Sequence, residues 1–193
     1  IHGQGLVAQR HRVVRRISDH HRSLRQFARD ALAQHAALQT AAPAAHVGIA
    51  LLLAHHAIGS LEKSGRLTPG RVIVKTEVTT SLIDRMAARH GIRCIGDLLV
   101  GFKYIAAEMN RLEAEGRAAD FLFGCEESHG YLTGTYARDK DAAGAAVWLA
   151  EYAAELQAEG RTLCDALEEI YCTYGCGHNH LTEIRLLGAK GME

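Results

Sequence analysis

The sequence predicts a three-layer αβα domain of the α/β class with a short-stranded, mostly parallel sheet that leaves room for a mixed edge. A segment of different character precedes it. Three observations carry this. Short continuous runs of apolar, β-branched or aromatic residues (Val72-Ile73-Val74, residues 92–95 and Phe121-Leu122-Phe123) read as strands buried on both faces. Stretches with helical spacing of apolar residues separate them, and strand–helix alternation implies a parallel sheet covered by helices on both faces. Finally, composition breaks near Ala41-Ala42-Pro43-Ala44-Ala45, a small-residue hinge containing proline.

The break splits a balanced chain. All 193 residues together hold 22 basic and 22 acidic side chains, which removes any global electrostatic attraction to nucleic acid or an acidic membrane. Residues 1–47, however, carry seven Arg, no Lys, no Glu and two Asp, with six of the 12 His. From residue 48 onward there are 15 basic against 20 acidic residues, 17 of the 19 Gly and all five Cys. Residues 1–47 form a basic segment of uncertain origin, helical or disordered. Three readings stay open for it: a nucleic-acid-binding arm built on Arg10, Arg12, Arg15, Arg16, Arg22, Arg25 and Arg29; a solvated helix; or the out-of-frame product of a G+C-rich gene.

Other classes fall away. A hydrophobic fraction of 48% and a charged fraction of 23% exclude disorder over the whole length. The longest apolar run, residues 47–54, is too short to span a bilayer. The odd number of Cys points to a reducing cytosol, hence a cytoplasmic location, and no secretory signal is expected. Because the chain opens with Ile1, its native start is expected to lie elsewhere.

Residues 48–65 place Leu51, Leu52, Ala54, His55, Ile58 and Leu61 at amphipathic helical spacing, closed by Gly65. After the Pro69-Gly70 turn and the first strand, Thr79 or Thr80 can cap a helix through Leu82, Ile83, Met86 and Ala87 to His90, with Gly91 following. A second strand over 92–95 leads to a helix over 101–115, with Phe102, Ile105, Ala106, Met109 and Leu112 on one face. The third strand, 121–123, opens into a Gly-punctuated loop, 124–134. Asp139 or Asp141 starts a long helix carrying Val147, Trp148, Leu149, Tyr152 and Leu156. Thr162 with Asp165 makes a capping box for a helix bearing Leu163, Leu167, Ile170, Tyr171 and Tyr174. Residues 181–186 alternate as a final strand. Domain boundaries are therefore expected at 1–47, 48–175 and 176–193.

Ligands of such sheets bind at the carboxyl ends of the strands. The loop after residues 121–123 reads Gly-Cys-Glu-Glu-Ser-His-Gly-Tyr. Two carboxylates and a hydroxyl flanked by glycine suit a polyol or sugar. Arg138-Asp139-Lys140-Asp141 then precedes a helix N-terminus, which suits an anion. A solvated acidic turn before a capped helix fits the same residues.

The run Phe123-Gly124-Cys125-Glu126-Glu127-Ser128-His129-Gly130-Tyr131-Leu132, followed by Arg138-Asp139-Lys140-Asp141-Ala142, resembles domain III of the α-D-phosphohexomutases. Gly134-Thr135-Tyr136-Ala137-Arg138-Asp139-Lys140-Asp141 is most similar to the phosphoglucomutase-2 and phosphopentomutase-like branch. Val74-Lys75-Thr76 with Thr79-Thr80, and Gly101-Phe102-Lys103-Tyr104-Ile105, fit the same domain. The resemblance covers residues 48–193, its end resembling the crossing into domain IV. It implies an isomerase that moves a phosphoryl group reversibly within a hexose phosphate such as glucose 1-phosphate or mannose 1-phosphate. A phosphoserine and Mg²⁺ carry that reaction. By motif position, Glu126 and Ser128 hold sugar hydroxyls, Lys140 lies near the reacting end and Arg138 attracts phosphate. His129 sits where branches vary.

The sequence departs from this pattern. It contains no Thr-Ala-Ser-His-Asn-Pro-type phosphoserine loop, no Asp-Gly-Asp-Gly-Asp metal loop and no phosphate loop of domain IV, and Val100 replaces the family's Thr. The resemblance therefore implies a fragment, frameshifted copy or free-standing domain, inactive alone, with no ligands for Mg²⁺. Other mutase domains are its expected partners. A non-catalytic, partner-binding remnant is the alternative. Separately, Cys172, Cys176, His178 and His180 offer four possible zinc ligands at a non-standard spacing. A buried Cys near a helix end with two interdomain His is the reading that this spacing favours. Cys94 and Cys164 read as small core residues and Cys125 as a loop residue.

Overall fold

The structure, a computed structural model, describes residues 45–176. Residues 1–44 of the basic segment, His178, His180 and the expected strand 181–186 lie outside the described residues. In order come α1 (Ala45–Lys63), β1 (Val72–Thr76), α2 (Leu82–Arg89), β2 (Arg93–Leu98), α3 (Phe102–Ala114), a short 3₁₀ turn (Ala118–Asp120), β3 (Phe121–Glu126), β4 (Gly130–Leu132), α4 (Ala142–Ala158) and α5 (Leu163–Tyr174).

The sheet order is β2-β1-β3-β4. β1 runs parallel to β2 and β3, while β4 returns antiparallel to β3. The expected mostly parallel, mixed sheet is thus what forms. β1 is buried throughout, as its uninterrupted Val-Ile-Val run requires. The β1–β3 register shifts between Val72 and Ile73, so Leu122 is an extra residue on β3. Phe121 consequently faces one core, and Leu122 and Phe123 both face the other.

Two cores cover the two faces of the sheet. Leu82, Ile83, Met86 and Ala87 of α2 join α1, α4 and α5 on one face. Phe102, Ile105, Met109 and Leu112 of α3 cover the opposite face with Val72, Val74 and Ile95. The connection β1-α2-β2 therefore passes over one face and β2-α3-β3 over the other. The winding direction reverses between β1 and β3, and the carboxyl ends of these two strands form the crevice at which doubly wound sheets bind ligands.

Helix α1 departs from its expected amphipathic character. Leu51, Leu52, Leu53 and Ala54 are all fully buried, and Ala50 and Ile58 are nearly so. Four consecutive buried residues occupy every side of a helix, so α1 is a central helix, packed among α2, α4, α5 and β3. Burying each leucine contributes about 1.5–3 kcal/mol. Even His56 is 7% exposed; its ring stacks on Tyr152 at 5.0 Å and meets the edge of Trp148 at 6.0 Å.

The termini of the other helices follow local chemistry. Asp141, one of the two expected caps, accepts from the amides of Ala143 and Gly144. The Thr162–Asp165 capping box forms reciprocally. For α2 the cap position falls on Ser81, and Thr80 instead accepts from the Leu82 amide at 3.3 Å. Gly91 and Gly160 close their helices at φ of 66° and 72°, where a side chain would strain.

Several side chains sit elsewhere than expected. Cys125 lies buried within β3 rather than in a loop, because the strand extends three residues past Phe123. Cys164 is exposed, since it falls between the buried Leu163 and Ala166 on the outer side of α5. Val147 is 56% exposed, the core face of α4 being Ala145, Tyr152, Ala153 and Leu156. Among the described residues no helix is long and apolar enough to cross a membrane.

Candidate functional site at the ends of β1 and β3

The stretch read as a loop is a β-hairpin. Glu126 pairs with Gly130 across β3 and β4, leaving the three-residue loop Glu127-Ser128-His129. His129 takes a left-handed conformation at φ 60°. A turn closed by a left-handed third residue is the usual geometry of three-residue hairpin loops, and histidine tolerates that region better than most residues.

Gly130 determines where Glu126 points. A Cβ at position 130 would stand 2.5 Å from Glu126 Cγ and 2.7 Å from its Oε1. Only glycine allows the carboxylate to fold back over β4 in this way. There, 2% exposed, it takes two donors on one oxygen: Lys140 Nζ at 2.6 Å and Ser128 Oγ at 3.1 Å. The bond to Glu126 raises the Lys140 ammonium above its ordinary value. Lys140 is half exposed, so its remaining donors face solvent. Hence three of the five expected substrate residues, Glu126, Ser128 and Lys140, meet around one carboxylate oxygen.

Glu127 is engaged separately. Thr76, fully buried at the end of β1, donates to Glu127 Oε2 at 2.8 Å and lies 2.8 Å from Thr79 Oγ1. The adjacent carboxylates thus have different partners and different surroundings.

Arg138 has its guanidinium turned to α3 and its own loop. Nε donates to Asn110 at 2.6 Å, Nη1 to the carbonyls of Thr135 and Ala137, and Nη2 to Glu113. The side chain ties the loop before α4 to α3, which fixes the approach of Lys140. His129, also a sequence candidate, is exposed at the hairpin tip.

The N-terminus of α4, expected to suit an anion, carries its own. Asp141 occupies the free amides of Ala143 and Gly144 and accepts from Tyr136 Oη at 2.5 Å. The Tyr136 bond, with those amides, holds the Asp141 carboxyl below its ordinary value. An external anion would have to displace this carboxylate.

Below the crevice, Lys75 is 3% exposed and pairs with Asp84 of α2 at 3.0 Å. It also donates to the carbonyls of Thr79 at 3.2 Å and Gly96 at 3.4 Å. A Cβ on Gly96 would fall 2.6 Å from Asp84 Oδ1 and 2.9 Å from Lys75 Nζ, so glycine makes the space for this pair. Burial pushes the neighbouring Cys125 thiol up to about 12. Burial there disfavours the thiolate, the form in which cysteine acts as a nucleophile.

Of the zinc candidates, Cys172 and Cys176 are exposed, and His178 and His180 lie outside the described residues. Among the described residues no group of three or more His, Cys, Asp or Glu converges on a metal position. The carboxylates of the hairpin, Glu126 and Glu127, are each taken by donors of the protein, an arrangement that does not fit magnesium.

Sequence reasoning singled out Glu126, Ser128 and Lys140 but assigned no role to Thr76, Gly130 or the Lys75–Asp84 pair. The Gly six residues after Gly124 was a usable signal. Gly-Tyr-Leu, following a three-residue polar turn, can extend a strand into a hairpin.

Comparison with known proteins agrees with this geometry. Residues 48–174 match the family phosphoglucomutase/phosphomannomutase, alpha/beta/alpha domain III. A phosphoglucomutase of Staphylococcus epidermidis is 38% identical over 123 residues, covering 64% of this chain and 22% of that protein. One of Staphylococcus aureus is 39% identical over 119 residues, covering 62% of this chain and 20% of its own. A crystal structure assigned as a phosphomannomutase from Thermus thermophilus superposes with a TM-score of 0.50 at 26% identity, covering 64% of this chain and 25% of that one. The chain spans about a fifth of the length of the curated relatives it matches. With several separated motifs, the sheet order and the match over residues 48–174 in agreement, the chain belongs to the phosphoglucomutase/phosphomannomutase family, of which it carries the α/β/α domain III.

Proposed function

We propose that residues 48–174 form the sugar-recognition domain of a phosphohexomutase-type enzyme. The convergence of Ser128 and Lys140 on one buried carboxylate oxygen of Glu126 carries this reading. An ionised carboxylate accepts from sugar hydroxyls, a serine hydroxyl both accepts and donates, and a half-exposed ammonium reaches a phosphate oxygen. The substrate would be a hexose phosphate such as glucose 1-phosphate or mannose 1-phosphate. Arg138 contributes by holding the Lys140 loop and by adding positive charge beside it. His129 lies at the rim, where it would meet the variable part of the sugar.

In this reading the phosphoryl-transferring serine and the magnesium ligands belong to other domains, and this chain alone binds without turnover. The work of domain III is positioning: holding hydroxyls that look alike in both orientations of the sugar, so that either end can be presented to the phosphoserine. Val78, Leu99 and Val100, exposed at 51%, 64% and 56% on the turns after β1 and β2, stand at the same end of the sheet. That exposure also favours a second reading, a surface that another mutase domain or a protein partner covers. A cytoplasmic setting accompanies either reading. Nucleic-acid binding by residues 1–47 is a third and weaker one.

Calorimetric titration of the chain with glucose 1-phosphate tests the first reading. It expects saturable binding lost in Ser128→Ala and Glu126→Gln. Binding unaffected by both substitutions, or no binding at millimolar ligand, overturns it for this chain.

A further inference from the structure

We infer that Thr76 is a positioning residue for the recognition hairpin, acting through Glu127 to fix the loop that carries Glu126 and Ser128. The inference rests on the sugar-recognition reading and adds a residue to it.

The hydrogen-bond directions follow from chemistry. A carboxylate oxygen only accepts, so the single Thr76 proton goes to Glu127 Oε2 at 2.8 Å. Thr79 must then donate to Thr76 Oγ1, also at 2.8 Å. Thr76 and Thr79 are 0% and 4% exposed, and a charge-assisted chain in a dry setting is stronger than its members apart. The chain is itself anchored. The Thr79 amide donates to the Thr76 carbonyl at 3.1 Å, and Lys75, paired with Asp84, holds the Thr79 carbonyl.

The placement is as telling as the bonds. Lys75 and Cys125 are register partners on β1 and β3. Thr76, the last residue of β1, and Glu127, the first residue past β3, therefore meet at the carboxyl ends of those strands, across the crevice where the winding reverses. Glu127 sits between Glu126 and Ser128 in sequence. Fixing its carboxylate to the end of β1 fixes the backbone on both sides. It also separates the roles of two adjacent carboxylates: Glu126 faces Ser128 and Lys140, and Glu127 anchors the loop. A three-residue loop bearing a non-glycine residue at φ 60° gains most from such a tie.

The test compares the full chain with Thr76→Val, which keeps the shape and removes the hydroxyl, and Thr76→Ser, which restores it. Backbone amide shifts of Glu127, Ser128 and His129 are read without ligand, and glucose 1-phosphate affinity is read separately. The expected result is that Thr76→Val moves those amides and weakens binding about tenfold, while Thr76→Ser recovers both. Amides at wild-type positions in a folded Thr76→Val protein overturn the inference. If the wild-type chain binds no sugar phosphate, the recognition reading fails, and the ligand-free shifts still decide whether Thr76 holds the loop. Should Thr76→Val not fold, Glu127→Met removes the same bond from its partly exposed side, with the same expected shifts at Ser128 and His129. Unchanged shifts there also overturn the inference.

Discussion

Lys140 donates to Glu126 at 2.6 Å, joining the loop before α4 to the last residue of β3. Glu126 is 2% exposed in its side chain and Lys140 48%, so the pair spans from interior to solvent. A fully exposed pair contributes little, but a buried carboxylate that loses a donor costs about 1–3 kcal/mol. Lys140→Met should therefore destabilise the domain by about that amount, and Glu126→Gln with Lys140→Met together should cost less than the two separately. Urea unfolding of the four proteins measures the coupling. Strict additivity would show that the contact carries no energy.

Gly130→Ala should disturb the site more than the stability. The added methyl meets Glu126 Cγ at 2.5 Å, so the carboxylate must swing away from Ser128 and Lys140. The strain is expected to cost about 1–3 kcal/mol. Amide shifts at Ser128 and Lys140 should change while those of Leu52 and Ile83, on α1 and α2 rather than on the hairpin, stay fixed. Unchanged shifts at Ser128 and Lys140 would mean that glycine is not needed there.

Leu52→Ala tests the central position of α1. Leu52 is fully buried in the core shared with α2, α4 and α5. Its truncation should lower the unfolding free energy by about 2–5 kcal/mol. A loss well under about 1 kcal/mol, the value for a surface helix, would contradict the central placement.

Stability should fall as the pH drops through the histidine range. Burial is the largest influence on His55 and His56 and lowers both below their ordinary value; Glu169 opposes it at His55, and Glu155 and Glu151 at His56. The unfolded chain thus takes up protons first. Full stability is present above about pH 6.5 and is lost progressively as pH falls through and below it. Melting temperatures between about pH 8 and 5 should decline, and the decline should flatten in the His55→Gln/His56→Gln double variant. An equal decline in that variant would place the effect elsewhere.

The β-branched run of β1, the Thr162–Asp165 box and the Asp141 cap depend on neighbours in the chain, and local chemistry reveals them. The burial of α1 on all sides does not, because His56 interrupts its apolar run and the partners of that ring, Trp148 and Tyr152, lie on α4. β4 is three residues long and begins with glycine, too little for a period of two to register. Glu126, Ser128 and Lys140 were legible as a motif. The division of labour between Glu126 and Glu127 was not, because the residue that decides it, Thr76, is 51 positions away.

Sugar recognition by the hairpin is tested by an amide-resolved NMR titration of the chain with glucose 1-phosphate, run beside inorganic phosphate. Recognition of sugar hydroxyls predicts saturable shifts at Glu126, Ser128 and Lys140 with the sugar phosphate that phosphate alone does not reproduce. No shifts at millimolar ligand, or the same shifts with phosphate alone, would contradict it.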